Sequence, residues 1–166
     1  MSNKTFIPAG ETSPASQIGA TLEALAGTIA ARREAGEESY THRLLTASPD
    51  DLLKKLMEES GEVALAAKDV ESWATSSLAA ALAFEDGRGN DVELEELAVE
   101  LPPEYSEAVD HLRYEAADVV YHLLVVLARY GVGLDEFAAE LNNRMTAAER
   151  PQGAVRLDEN QVKRGK

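Results

Sequence analysis

The chain contains no cysteine, which excludes disulfides, thiol nucleophiles and thiolate metal sites. Aromatic residues are also few, 5% against a hydrophobic content of 45%, so the core must be built mainly from Ala, Leu and Val. Positive charge is scarce: 16 Lys and Arg stand against 30 Asp and Glu, a formal net charge of -14. So acidic a surface repels a phosphate backbone, and no DNA- or RNA-binding role is expected. A polyanionic substrate would need cations to help it dock. No apolar run reaches about 18 residues, so no membrane span is expected. The opening "MSNKTFIPAGETSP" lacks the apolar core of a signal peptide. The expectation is a cytoplasmic protein of 166 residues, a length that suits one domain.

What the chain does contain is helical periodicity. Residues 1–15 are polar and punctuated by Gly and Pro, and predict a loose arm. Ile18, Leu22, Leu25 and Ile29 follow at steps of four, three and four, one face of a helix that ends in "ARREAGEE". "SYTHRLL" predicts a short helical turn. At "SPDD", Ser48 suits an N-cap, Pro49 the first helical position and Asp51 the acid of a capping box. The helix runs on through "LLKKLMEESGEVALAAKDV". Gly61 costs it about 1 kcal/mol relative to Ala, which suggests the close approach of a backbone or ligand. Residues 71–107 change in texture. "SSLAAALAF" predicts a short helix, "EDGRGND" a turn, and "VELEELAVEL" an amphipathic segment stopped by "PP"; together they suggest a helical hairpin or a mobile insertion. A long helix is predicted from near Ser106 to Gly131. "GVGLDEFAAELNNRM" forms one more, entered through Gly133, and 151–166 form a tail. No strand pattern or repeat emerges. The expected fold is all-α, one domain over 16–150.

The segment "YEAADVVYHLLVVLARYG" is apolar on most sides yet carries Glu115, Asp118 and His122 on one strip. That strip lies beside the apolar strip Leu112, Ala116, Val119, Leu123 and Val126. An unpaired buried carboxylate costs several kcal/mol or takes up a proton. A second acid pair, Glu59 and Glu62, sits one turn apart on the earlier helix, with Lys55 on the same side and Glu58 pointing further outward. Leu52, Leu53, Leu56, Ser60, Val63 and Ala67 form the neighbouring apolar arc, which places Glu59 at the edge of the buried face. If the two helices meet, four carboxylates would repel one another unless a cation sat among them. Oxygen-only ligands favour a hard ion, Mg²⁺ first and Mn²⁺ second. The bland alternative is that each acid pair is an ordinary polar face. His122 fits a hydrogen-bonded core histidine, with a substrate contact as the alternative. Arg32, Arg33 and Arg43 fit solvated face residues.

Lys55-Leu-Met-Glu58-Glu59 with Glu62, followed by Glu115-Ala-Ala-Asp118-Val-Val-Tyr121-His122-Leu-Leu-Val, resembles the phosphoribosyl-ATP pyrophosphohydrolase family. That family lies within the all-α MazG-like superfamily, whose signature is EExxE followed by ExxD. The segment Ser39-Tyr40-Thr41 and the closing "LDEFAAELNNR", ending at Arg144, extend the similarity, which covers 18–72 and 108–145. The stretch 73–107 departs from it as an insertion. The resemblance implies a helical bundle completed by dimerisation, with the site near the subunit interface. It implies hydrolysis of phosphoribosyl-ATP to phosphoribosyl-AMP and pyrophosphate, the second step of histidine biosynthesis. Glu59, Glu62, Glu115 and Asp118 would hold Mg²⁺, or Mn²⁺, and Glu58 or Glu59 would orient or deprotonate the attacking water. Lys55, Arg32 and Lys68 would meet phosphates, and Ser39, Tyr40 and Thr41 the nucleotide or ribose phosphate. Some relatives are fused to a cyclohydrolase that uses zinc-binding Cys; with no Cys here, a single activity is expected. Two other readings are a house-cleaning nucleoside triphosphate pyrophosphohydrolase and a non-catalytic acidic helical interaction domain.

Overall fold

A computed structural model of the chain describes residues 4–88, 97–158 and 160–162. The described residues form five α-helices and one 3-10 turn, with no strand: α1 (Gln17–Ala31), the turn Arg32–Glu34, α2 (Tyr40–Thr46), α3 (Pro49–Gly87), α4 (Pro103–Arg129) and α5 (Leu134–Asn142). The all-α expectation is met. No single helix among them is long and apolar enough to cross a membrane. The chain divides into two compact units, Met1–Ala47 with Leu124–Lys166, and Ser48–Leu123.

In the first unit, α1 starts where Ser16 Oγ accepts the Gly19 N–H, a side-chain cap for an amide with no partner in the helix. Its predicted apolar face is only partly covered: Ile29 is buried, whereas Ile18 is 67% exposed. Arg32, Arg33 and Arg43 are exposed, as solvated face residues should be. Arg33 donates to the Ala128 carbonyl and Arg43 to that of Glu37. The Arg129 guanidinium forks onto the carbonyls of Leu44, Leu45 and Ala47 at 3.0, 3.1 and 2.7 Å. It thereby satisfies acceptors that the end of α2 leaves open. Helix α4 ends at Arg129 and is closed by Gly131, whose φ of +73° is a conformation that side-chain-bearing residues rarely adopt. The bonds from Val132 N to Leu127 O and from Gly131 N to Ala128 O complete a Schellman motif. Gly133 then opens α5, its N–H donating to Glu136 Oε2. Part of the predicted tail is tied down. Asn142 Nδ2 donates to the Val155 carbonyl, and Arg150 donates to the carbonyls of Asn142 and Met145.

In the second unit, Ser48 and Pro49 open α3 as predicted, but Ser48 Oγ accepts from the N–H of Asp50 rather than Asp51. The helix does not stop near residue 71. It continues for 39 residues and absorbs the segment predicted as a separate short helix. No Pro or Gly intervenes between Gly61 and Gly87, and Ala, Leu and Glu are good helix formers. A Cβ built on Gly61 would meet nothing within 4 Å, so the close backbone approach predicted there does not occur among the described residues. Of the predicted segment 92–101, residues 92–96 lie outside the described residues and 97–101 are not helical. Pro103 opens α4 three residues before the predicted start, taking the first helical position where a missing N–H costs nothing.

The covered faces differ from those predicted. On α3 the buried residues are Leu52, Glu59 and Ala66, each seven apart, whereas Leu53, Ser60 and Ala67 are exposed. On α4, Glu115 and His122 are buried and Ala116 is exposed. The acids thus sit at the middle of the covered faces, and part of the apolar arcs is left uncovered.

Candidate active site

Helices α3 and α4 bring three carboxylates together. One oxygen each from Glu59, Glu115 and Asp118 lies within 4.8 Å of the other two. Glu59 and Glu115 are buried and Asp118 is half-buried. Glu62 is not part of this set; it is exposed, and its carboxyl shares a hydrogen bond with Glu59.

The charges are divided unevenly. Lys55 Nζ stands 2.8 Å from Glu59 Oε1. That hydrogen bond holds the Glu59 carboxyl below its ordinary range in spite of burial, with help from the Lys55 charge, the bond to Glu62 and the nearby His122. Glu62 moves the other way. Its bond to Glu59, loss of solvent and the charges of Glu59 and Glu115 raise its carboxyl above the ordinary value. The crowding therefore makes the Glu62 carboxyl easier to protonate than an ordinary one and that of Glu59 harder.

The remaining predicted residues fall into place around this centre or in the other unit. Glu58 is outward, within 3.4 Å of Lys54 and 3.6 Å of Lys55. His122 is 4% exposed, its Nδ1 bonded to the Asp118 carbonyl at 2.9 Å and 4.0 Å from Glu59 Oε1. A carbonyl can only accept, so Nδ1 carries the proton. Lys68 is exposed and paired with Glu71. Arg32, Ser39, Tyr40 and Thr41 belong to the first unit. Ser39 Oγ caps α2 by accepting the His42 N–H, and the Tyr40 ring lies under the Arg43 guanidinium, 5.8 Å from the ring centroid.

The donor set fits a hard cation. Mg²⁺ binds oxygen at about 2.0–2.1 Å in an octahedron, which sets ligand oxygens about 3 to 4 Å apart. The three oxygens, within 4.8 Å of one another, approach those separations. No sulfur or imidazole nitrogen belongs to the set. One residue escaped the sequence reading: His111, whose Nε2 lies 2.9 Å from Glu115 Oε1. The available signal was spacing, since His111 precedes Glu115 by four residues as Lys55 precedes Glu59.

The phosphoribosyl-ATP pyrophosphohydrolase family matches residues 22–145. Among individual relatives, a phosphoribosyl-ATP pyrophosphatase of Paracidovorax citrulli is 33% identical over 135 residues, 79% of this chain and 74% of that protein. One of Dechloromonas aromatica is 32% identical over 124 residues, covering 74% and 81%. One of Methylobacterium nodulans is 36% identical over 120 residues, covering 72% and 78%. No solved structure matches the chain. With the matched span running from α1 through α5, both acid motifs included, the chain belongs to the phosphoribosyl-ATP pyrophosphohydrolase family.

Proposed function

We propose that the chain hydrolyses phosphoribosyl-ATP to phosphoribosyl-AMP and pyrophosphate in histidine biosynthesis. The observation that carries this is the gathering of Glu59, Glu115 and Asp118 from two motifs far apart in sequence, in a chain of this family. These three residues, with Glu62 beside them, would hold Mg²⁺, and Mn²⁺ would serve in its place. When bound, the cation polarises phosphoryl oxygens and offsets the charge that develops as water displaces pyrophosphate. Glu59, kept charged by Lys55, suits a ligand better than a base, because a lowered carboxyl is a weak proton acceptor. That leaves Glu58 as the favoured residue to orient the attacking water. Lys55 and Lys68, with Arg32, Ser39, Tyr40, Thr41 and His122, are the candidates to contact substrate.

A homodimer belongs to the same proposal. Leu53, Met57 and Leu65 follow one side of α3 with Gly61 between them, and they are 40%, 76% and 68% exposed. An uncovered apolar stripe on one helix suits a second copy, and Met57→Glu should shift the protein to monomer in sedimentation. A cytoplasmic location, with no nucleic-acid or membrane partner, completes the reading.

The test of function is direct. Protein and Mg²⁺ are incubated separately with phosphoribosyl-ATP, dUTP and dCTP, and the products are resolved by chromatography. Pyrophosphate with phosphoribosyl-AMP is the expected result. Preference for dUTP or dCTP would indicate a house-cleaning enzyme, and no pyrophosphate from any of them would remove the catalytic reading.

A further inference from the structure

Two buried glutamates face the carboxylate centre from different helices, and each is held in the same way. On α3, Lys55 reaches Glu59 from one turn earlier, at 2.8 Å. On α4, His111 reaches Glu115 from one turn earlier, at 2.9 Å. Residues four apart on a helix are neighbours on one face, so each grip is local and needs no other element. The Glu115 side chain is 9% exposed and that of His111 is 56% exposed. The imidazole thus stands at the rim of the site with its Nε2 edge turned inward.

We propose that His111 is a positioning residue for the metal centre: its Nε2–H donates to Glu115 Oε1 and fixes the rotamer in which Glu115 meets Glu59 and Asp118. This rests on the reading of those carboxylates as cation ligands. A carboxylate offers about four lone-pair sites, so one bond to His111 leaves the rest for a cation. A partner that orients a ligating group typically matters 10- to 100-fold in metal affinity. The two grips also differ in kind. Lys55 brings a full positive charge that competes with an incoming cation, whereas an imidazole can donate without one. His111 therefore orders its glutamate at less electrostatic expense to cation binding.

The test uses the full chain and Mn²⁺ as the probe, without substrate, with free Mn²⁺ counted by electron paramagnetic resonance. Wild type is compared with His111→Ala, His111→Gln and Asp118→Asn. His111→Ala should weaken Mn²⁺ binding about tenfold while circular dichroism stays unchanged, since the ring is largely in solvent. His111→Gln, whose amide N–H can reach Glu115 from the same turn, should recover most of that loss. In turnover, the Mn²⁺ concentration needed for half-maximal rate should rise by the same factor in His111→Ala, with the loss falling on metal requirement rather than on the rate at saturating metal. Wild-type Mn²⁺ affinity in His111→Ala, alongside weakened binding in Asp118→Asn, overturns the role of His111 alone. A failure of Gln to restore binding overturns it too. Wild-type affinity in Asp118→Asn removes the carboxylate metal centre itself, and the proposal with it.

Discussion

Lys55 Nζ lies 2.8 Å from Glu59 Oε1, and this contact keeps a buried carboxylate charged where no cation is bound. The ammonium supplies part of the counter-charge that a metal would supply. Lys55→Met should therefore cost the ion-free protein about 1 kcal/mol, the low end for stranding a buried charged acceptor, because Lys55 is part-exposed and solvent screens it. Mg²⁺ should restore part of that loss, so the variant should gain more from Mg²⁺ than wild type does. Thermal melts with chelator and with Mg²⁺ check this. A variant as stable as wild type in chelator would mean that Lys55 does not support Glu59.

Asp118 contributes to the cluster from α4, and its replacement by Asn keeps shape while removing charge. Asp118→Asn should lower turnover by at least about tenfold, equivalent to about 1.4 kcal/mol in the barrier, with helical content intact. In wild type, Mg²⁺ at about 100 times its dissociation constant should add about 2.7 kcal/mol of stability, and the variant should show much less. Equal melting responses to Mg²⁺ in the two proteins would sink the shared carboxylate site.

Much of this centre was legible because helix geometry is local. A three-residue spacing placed Glu59 beside Glu62 and Glu115 beside Asp118 without any tertiary knowledge. Ser48 with Pro49 marked the start of α3 for equally local reasons. The misjudged features depended on neighbours. Glu59 was expected at the edge of a buried face, yet Leu52, Glu59 and Ala66 define that face, because which stripe is covered depends on tertiary packing and not on the periodicity of the helix alone. The continuation of α3 through residues 71–87 was missed because a change in texture, from alternating charge to Ser and Ala, resembles a boundary; chemically it contains no helix breaker. His111 was missed because it lies outside the family motif, although its spacing from Glu115 repeats that of Lys55 from Glu59.

The split between Glu59 and Glu62 has a consequence for stability against pH. The Glu62 carboxyl is raised, so between its ordinary and its raised value the folded ion-free protein holds a proton that the unfolded chain has released. That contribution to stability is present at and below the ordinary carboxyl range and is lost as pH rises through the raised value. Glu59 is lowered, and its contribution is present above the ordinary range and lost as pH falls through the lowered value. Glu62→Gln mimics the protonated acid and cannot be charged. In chelator it should melt above wild type at neutral pH, and the two should converge on mild acidification. It should also respond less to Mg²⁺, having lost a nearby negative charge. A gap that is absent at neutral pH, or that widens as pH falls, would show that Glu62 is not the strained acid.

The segment between the two acid motifs should be dispensable for folding. No described residue between Ala66 and Glu115 is fully buried. Trp73 and Phe84 line an open groove of about 770 Å³ with Leu97 and Pro102 rather than a packed core. Replacing residues 75–105 with a short Gly/Ser bridge removes the last turns of α3 and the first of α4 but leaves Lys55 through Ala66 and His111 through His122 in place. Closing a loop costs little extra free energy per residue, about 0.6 kcal/mol for each doubling of its length. The shortened protein should lose helical signal in proportion to the turns removed, melt cooperatively and retain part of its pyrophosphate release. Loss of activity with cooperative melting preserved would assign the segment to substrate binding. An insoluble product would show that the segment is needed for the fold.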